Sequence, residues 1–188
     1  FDVMYRDFEQ SLENHKLLGT TNMGIGGFWF DTADEVKEFI DKANVVAEKA
    51  GKNGMKFTYH NHSHEFIRLE NGKTAMEMLM EGLDSKNTTF VLDTYWVQHG
   101  GGDPRQWIEK LAGRIDILHL KDMLRIKADH DVQQITEIGS GNMNWDGIIE
   151  SAEKSGVKYY VVEQDANWNP NCFAAIKKSA DYLKKYMG

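Results

Sequence analysis

One cysteine and two prolines among 188 residues set the first limits on this chain. The lone thiol, Cys172, rules out an internal disulfide framework. The expected compartment is the cytoplasm, with the periplasm as the alternative because a periplasmic enzyme can also lack disulfides. Scarce proline and the absence of a low-complexity linker leave nothing to mark a domain boundary, and the length suits one domain with a substantial core. No apolar run reaches the roughly 20 residues of a membrane span. A basic block is missing too: the net charge is −7, which argues against a nucleic-acid phosphate partner. Neither an initiator Met nor a signal-like segment precedes Phe1-Asp2-Val3, so the chain is expected to be the C-terminal part of a longer protein.

What is present is a repeated pattern. Four short apolar runs each end in a residue able to bind a metal: Lys56 to His60, Thr89 to Asp93, Ile115 to His119 and Tyr159 to Glu163. They read as buried parallel strands. In parallel α/β sheets and barrels the carboxyl ends of the strands gather at one face, where sites are built. Two imidazoles and two carboxylates are expected to converge there, although 26 to 44 residues separate neighbours in sequence. Such a set suits a divalent metal with open positions for substrate.

Between the runs lie helical patterns. Phe8 to Leu18 suits a helix, and Thr20 to Ile25 a short strand. Asp31-Thr32-Ala33-Asp34 offers N-caps for a helix whose Val36, Phe39, Ile40, Ala43, Val46 and Ala47 share a face. Further helices are expected at about 73–82, after Asp103-Pro104, from Asn144 to Lys154, and from Asn169-Pro170 to about Tyr186. A long polar loop is expected after His119. Alternating strands and helices imply a parallel sheet with right-handed crossovers. A full (β/α)8 barrel takes about 250 residues, so five βα units fall about three short. An open doubly wound sheet is the alternative, but Gly24-Ile25-Gly26-Gly27 is not a dinucleotide-binding fingerprint.

Five segments together resemble the xylose-isomerase-like sugar isomerase/epimerase TIM barrels. They are His60-Asn61-His62-Ser63-His64-Glu65-Phe66, Leu92-Asp93-Thr94-Tyr95-Trp96, His119-Leu120-Lys121-Asp122, Gly139-Ser140-Gly141-Asn142 with Trp145, and Val162-Glu163-Gln164-Asp165. The resemblance runs from about Phe8 to the C-terminus. It implies a (β/α)8 barrel of which residues 1–188 are the C-terminal part, strands four to eight. It also implies one divalent metal at the barrel mouth, Mn²⁺ ahead of Zn²⁺ or Mg²⁺, held by His60, Asp93, His119 and Glu163. His60 departs from the pattern, since most epimerases of the family carry Glu there and use the two Glu residues as acid and base. An imidazole with an unperturbed pKa of about 6.5 can still move a proton, but simple two-carboxylate epimerisation becomes less secure.

The expected activity is therefore isomerisation or epimerisation of a sugar or keto-sugar through a metal-stabilised enediolate. A lyase or dehydratase acting on a 3-keto-sugar, keto-glycoside or cyclitol is the rival, because elimination shares the first proton abstraction. A catalytically dead sugar-binding protein is the reading from another class. Glu163, His60, His62 and Lys121 are the candidate catalytic residues; His62, Trp96, Lys121 and Trp168 are candidates for substrate binding. Plainer readings stand beside these: Lys121 paired with Asp122, Trp96 in the core, and Gly139-Ser140-Gly141 as a turn rather than a cradle of N–H groups. His64 and Glu65 fall in a solvent-exposed loop, or Glu65 orders a histidine by accepting its N–H. The expected partner is a small carbohydrate, with no nucleic acid and no membrane; a homo-oligomer is compatible with the sequence.

Overall fold

The computed structural model describes residues 1–127 and 131–187. The chain divides into two compact units, with the boundary between Val91 and Leu92. The first unit opens with helices α1 (Asp2–Arg6) and α2 (Phe8–Leu17). Strand β1 (Asn22–Ile25), helix α3 (Ala33–Lys52) and strand β2 (Lys56–His60) follow. A 3₁₀ turn at His64–Phe66 and helix α4 (Ala75–Gly82) lead to β3 (Thr88–Asp93). Both pairings in this unit are parallel, with Met23 opposite Phe57 and His60 opposite Val91.

Helix α3 shows how local sequence places a strand. Thr32 Oγ1 accepts the Glu35 N–H, and the Glu35 carboxylate accepts the Thr32 N–H, a complete capping box. Val36, Ala43, Val46 and Ala47 on one face are almost entirely buried. Each fully buried valine contributes about 1.5–3 kcal/mol. Thr32→Ala is expected to cost about 1 kcal/mol in urea unfolding; a cost indistinguishable from zero would mean that packing alone sets where this helix begins.

The second unit continues from β3 into α5 (Thr94–His99) and α6 (Pro104–Lys110). Strand β4 (Ile115–Leu120) is followed by the hairpin β5 (Asp122–Lys127) and β6 (Asp131–Thr136). Helix α7 (Trp145–Lys154), strand β7 (Tyr159–Val162) and helix α8 (Cys172–Leu183) complete it. β7 runs parallel to β4, His119 facing Val161. The strand order is β1-β2-β3 in the first unit, and β4 lies beside β7 in the second. All six residues of β3 are buried, as expected for a parallel strand covered on both faces. Among the described residues no helix is long and apolar enough to cross a membrane.

Two expectations need correcting. The long polar loop after His119 holds the antiparallel pair β5·β6, with Met123 opposite Ile135. Its strands carry Arg125, Lys127, Gln133 and Gln134; β5 is largely exposed past Leu124, and of the described side chains of β6 only Ile135 and Thr136 are buried, so no apolar run announced them. And the last helix, expected from Asn169-Pro170, begins at Cys172, because the Asn171 side chain is its N-cap and accepts the Ala174 N–H.

Candidate metal centre

In the second unit, the ends of three strands bring five charged side chains together. Asp93 closes β3; its Oδ1 accepts the Trp96 N–H at 3.0 Å, which fixes the carboxylate as the N-cap of α5. Its Oδ2 lies 3.1 Å from Lys121 Nζ and 4.0 Å from His119 Nδ1. His119 sits on β4, and Lys121 follows two residues later, so strand alternation gives both side chains one direction. The Thr94 hydroxyl holds this stretch of backbone: it accepts the Lys121 N–H at 3.1 Å and contacts the carbonyl oxygens of His119 and Lys121. Glu163 stands just beyond β7, its N–H donating to the Leu120 carbonyl at 3.1 Å. Glu163 Oε2 is 3.0 Å from His119 Nδ1 and 2.7 Å from Lys121 Nζ.

The electrostatics follow from this crowding. Hydrogen bonding from His119 first, and from Lys121 next, outweighs burial and holds the Glu163 carboxyl far below the usual carboxylate range. Burial works against the Lys121 charge, but Asp93, Glu163 and Asp165 together raise its pKa above the ordinary lysine value. Asp165 Oδ2, 2.9 Å from Lys121 Nζ, is the member that sequence reasoning missed. Its signal was available: it lies two residues past Glu163, the same offset that singled out Lys121 after His119.

In the first unit, His60 ends β2 and begins a series of neighbouring rings. His60 and His62 lie 4.9 Å apart between centroids, His62 and His64 5.6 Å, and His64 and Trp29 3.9 Å, the last two pairs nearly parallel. Glu65, read as loop or as a partner of a histidine, is fully buried. Its carboxylate accepts the His62 N–H and the Tyr59 hydroxyl, each at 2.8 Å.

Within the second unit, ligand atoms of Asp93, His119 and Glu163 all lie within 4.8 Å of one another, and the fourth candidate ligand, His60, ends β2 of the first unit. Donor bonds to zinc of about 2.0–2.2 Å put opposite ligands up to twice that distance apart, so a cation needs only small side-chain adjustments. Two imidazole nitrogens with two carboxylate oxygens suit Zn²⁺ or Mn²⁺, and no thiolate is present to favour a softer ion. The residues therefore fit a divalent metal.

The remaining candidates sort differently. Trp96 is part-buried, and Lys121 Nζ lies 5.4 Å from its ring centroid, a cation–π contact. Trp168 is about half exposed and donates from Nε1 to the Gln164 carbonyl. It lines a cavity of about 430 Å³ with Gln134, Thr136 and Lys178, among others. The plain reading of Lys121 as the partner of Asp122 is replaced by the three carboxylates above. Asp122 Oδ2 instead accepts the N–H groups of Gly139 and Gly141 and the Trp145 indole N–H. The glycine loop thus spends those two amides on an internal carboxylate. Cys172 is exposed and reduced.

Sequence comparison places named relatives beside this geometry. The chain is 29% identical over 213 residues to the inosose dehydratase of Clostridium beijerinckii, covering 99% of this chain and 70% of that one. It is 26% identical over 174 residues to the inosose dehydratase of Geobacillus thermodenitrificans, covering 84% of this chain and 56% of that one. Among solved structures, a sugar phosphate isomerase/epimerase from Parabacteroides distasonis superposes with a TM-score of 0.80 at 28% identity, covering 97% of this chain and 65% of that one. The chain thus spans little more than half the length of the Geobacillus relative and about two thirds of the Parabacteroides one. The family match itself runs from residue 4 to residue 186, through every strand of the sheet, and the chain belongs to the xylose isomerase-like TIM barrel family.

Proposed function

We propose that the protein is a divalent-metal-dependent dehydratase of a keto-cyclitol of the inosose type, with Mn²⁺ as the first candidate ion and Zn²⁺ or Mg²⁺ next. The observation that carries this reading is the convergence of Asp93, His119 and Glu163 in the second unit, with His60 as the fourth candidate ligand in place of one of the two carboxylates that the family's epimerases use as acid and base. The inosose dehydratases among its relatives support it.

A cation held by these four residues would act as a Lewis acid on a substrate carbonyl and the hydroxyl beside it. The chain supplies the proton chemistry. Glu163, kept ionised by His119 and Lys121, is a good ligand and a weak base, so proton abstraction is assigned to the imidazole of His62. His62 removes the proton from the carbon next to the carbonyl, and the C–H electron pair becomes the new double bond. The hydroxyl on the following carbon leaves with its bonding pair and takes up that proton, so that one water is lost. Lys121 stays charged among its carboxylates and stabilises negative charge developing on a substrate oxygen. Trp96 and Trp168 offer indole faces for sugar C–H surfaces.

Isomerisation or epimerisation of a sugar is the second reading. It begins with the same proton abstraction and returns the proton to carbon; the resemblance to the Parabacteroides structure favours it. Elemental analysis of purified protein is expected to find about one equivalent of metal, lost in Asp93→Ala and His119→Ala. Mass spectrometry after incubation with an inosose should show loss of one water. A product of unchanged mass would favour the second reading, and absence of metal after reconstitution would overturn both.

A further inference from the structure

We infer that Glu65 is a positioning residue: it fixes the backbone at His62 and thereby the imidazole of that residue. This rests on the role proposed above for His62. β2 ends at His60, two residues before His62. A carboxylate takes over. Glu65 Oε2 accepts the His62 N–H at 2.8 Å, and Oε1 accepts the Tyr59 hydroxyl at 2.8 Å. Tyr59 lies within β2, is fully buried, and its hydroxyl accepts the Phe28 N–H at 3.0 Å. His64 Nε2 is 3.3 Å from the same carboxylate and 3.1 Å from the Phe28 carbonyl. Glu65 therefore ties β2, the His60–His64 turn and the loop after β1 into one unit.

The neighbourhood is built around this arrangement. At Gly27, with φ at +94°, a Cβ would stand 2.9 Å from His62 Nδ1 and 3.2 Å from Glu65 Oε1. Only glycine tolerates that backbone and that approach together. Burying a carboxylate is costly unless it is fully hydrogen-bonded, and an apolar residue would fill this space more cheaply. Burial tends to raise the Glu65 pKa, but His64 and Tyr59 outweigh it and keep the group ionised. A charged anchor five residues from a metal-ligand candidate thus has a reason that packing alone does not give.

Amide hydrogen exchange, metal content and turnover on wild type, Glu65→Gln and Glu65→Ala test the inference. In Glu65→Ala, exchange at the His62 amide should be at least about tenfold faster, with the Phe57–Tyr59 amides unchanged. The kcat for dehydration should fall about 10–100-fold with KM nearly constant and metal retained, the scale seen when a supporting contact lets a reacting group drift. Glu65→Gln keeps an acceptor for the His62 N–H and should restore most of the loss. Unchanged His62 exchange in a folded alanine variant overturns the inference. So does a parallel loss of metal, kcat and stability, which would mark a merely structural role. If Glu65→Ala does not fold, Tyr59→Phe, which removes one of the two short anchors, is read by the same exchange measurement. If the wild type turns over no inosose, the dehydratase reading fails on its own and the exchange data still decide the role of Glu65.

Discussion

Asp122→Ala is expected to lower folding stability by about 3–5 kcal/mol, since each buried donor left without an acceptor costs about 1–3 kcal/mol and water entering the space relieves part of that. Asp122 is fully buried. Its Oδ2 accepts three donors, Gly139 N–H at 2.8 Å, Gly141 N–H at 3.0 Å and Trp145 Nε1–H at 2.8 Å, while Oδ1 accepts the Met123 N–H at 2.8 Å. Bonds to an ionised acceptor are the stronger kind. Gly141 lies so close that a Cβ there would stand 2.4 Å from Asp122 Oδ1 and from the Met123 carbonyl oxygen. Neither side of the contact has room to rearrange. Urea denaturation of the alanine and asparagine variants is the measurement, with asparagine expected to lose less. A loss under about 1 kcal/mol for alanine, within the range of an ordinary neutral hydrogen bond, would show that the glycine loop re-forms on water.

Lys121→Met should produce a loss of similar size that metal reverses. Lys121 is only 1% exposed, and Asp93, one of its partners, is 0% exposed. Removing one member of a buried ion pair leaves the other charge uncompensated, at a cost of about 3–5 kcal/mol. Glu163 and Asp165, at 34% and 49% exposure, are screened by solvent and add little. Saturating Mn²⁺ or Zn²⁺ supplies positive charge to the same carboxylates, so thermal unfolding with and without metal should show the Lys121→Met deficit shrinking. A deficit that metal leaves unchanged would mean these carboxylates do not share a cation, and the proposed centre would fall with it. Turnover should stay low in the metal-loaded variant, because methionine cannot stabilise negative charge on a substrate oxygen.

The sites of easiest reading were those governed by strand periodicity. Asp93 and His119 each lie at the carboxyl end of a run whose β-propensity and apolar character are local properties, and Lys121 follows by a two-residue offset; Asp165, at the same offset from Glu163, was missed. Capping residues were equally legible: Thr32 and Asp103 are N-caps in the structure as their positions in the sequence imply. The hairpin Asp122–Lys127 with Asp131–Thr136 was not. Its strands are stabilised by pairing with each other, a contact that leaves no apolar run behind.

By itself, then, the sequence determined the parallel strands, the helices between them and the four metal-binding types at strand ends, because a two-residue side-chain period and local capping act within a few residues. Only the tertiary structure decided which carboxylate meets which donor. Lys121 turns to Asp93, Glu163 and Asp165 rather than to its neighbour Asp122. Asp122 instead holds a glycine loop 17 and 19 residues away. Glu65, readable along the chain only as loop or as some histidine's partner, becomes a buried anchor once Tyr59 and His62 surround it. The physical reason is common to all three: a buried charge must be neutralised or hydrogen-bonded, and its partners are chosen by proximity in space, which spacing along the chain does not record.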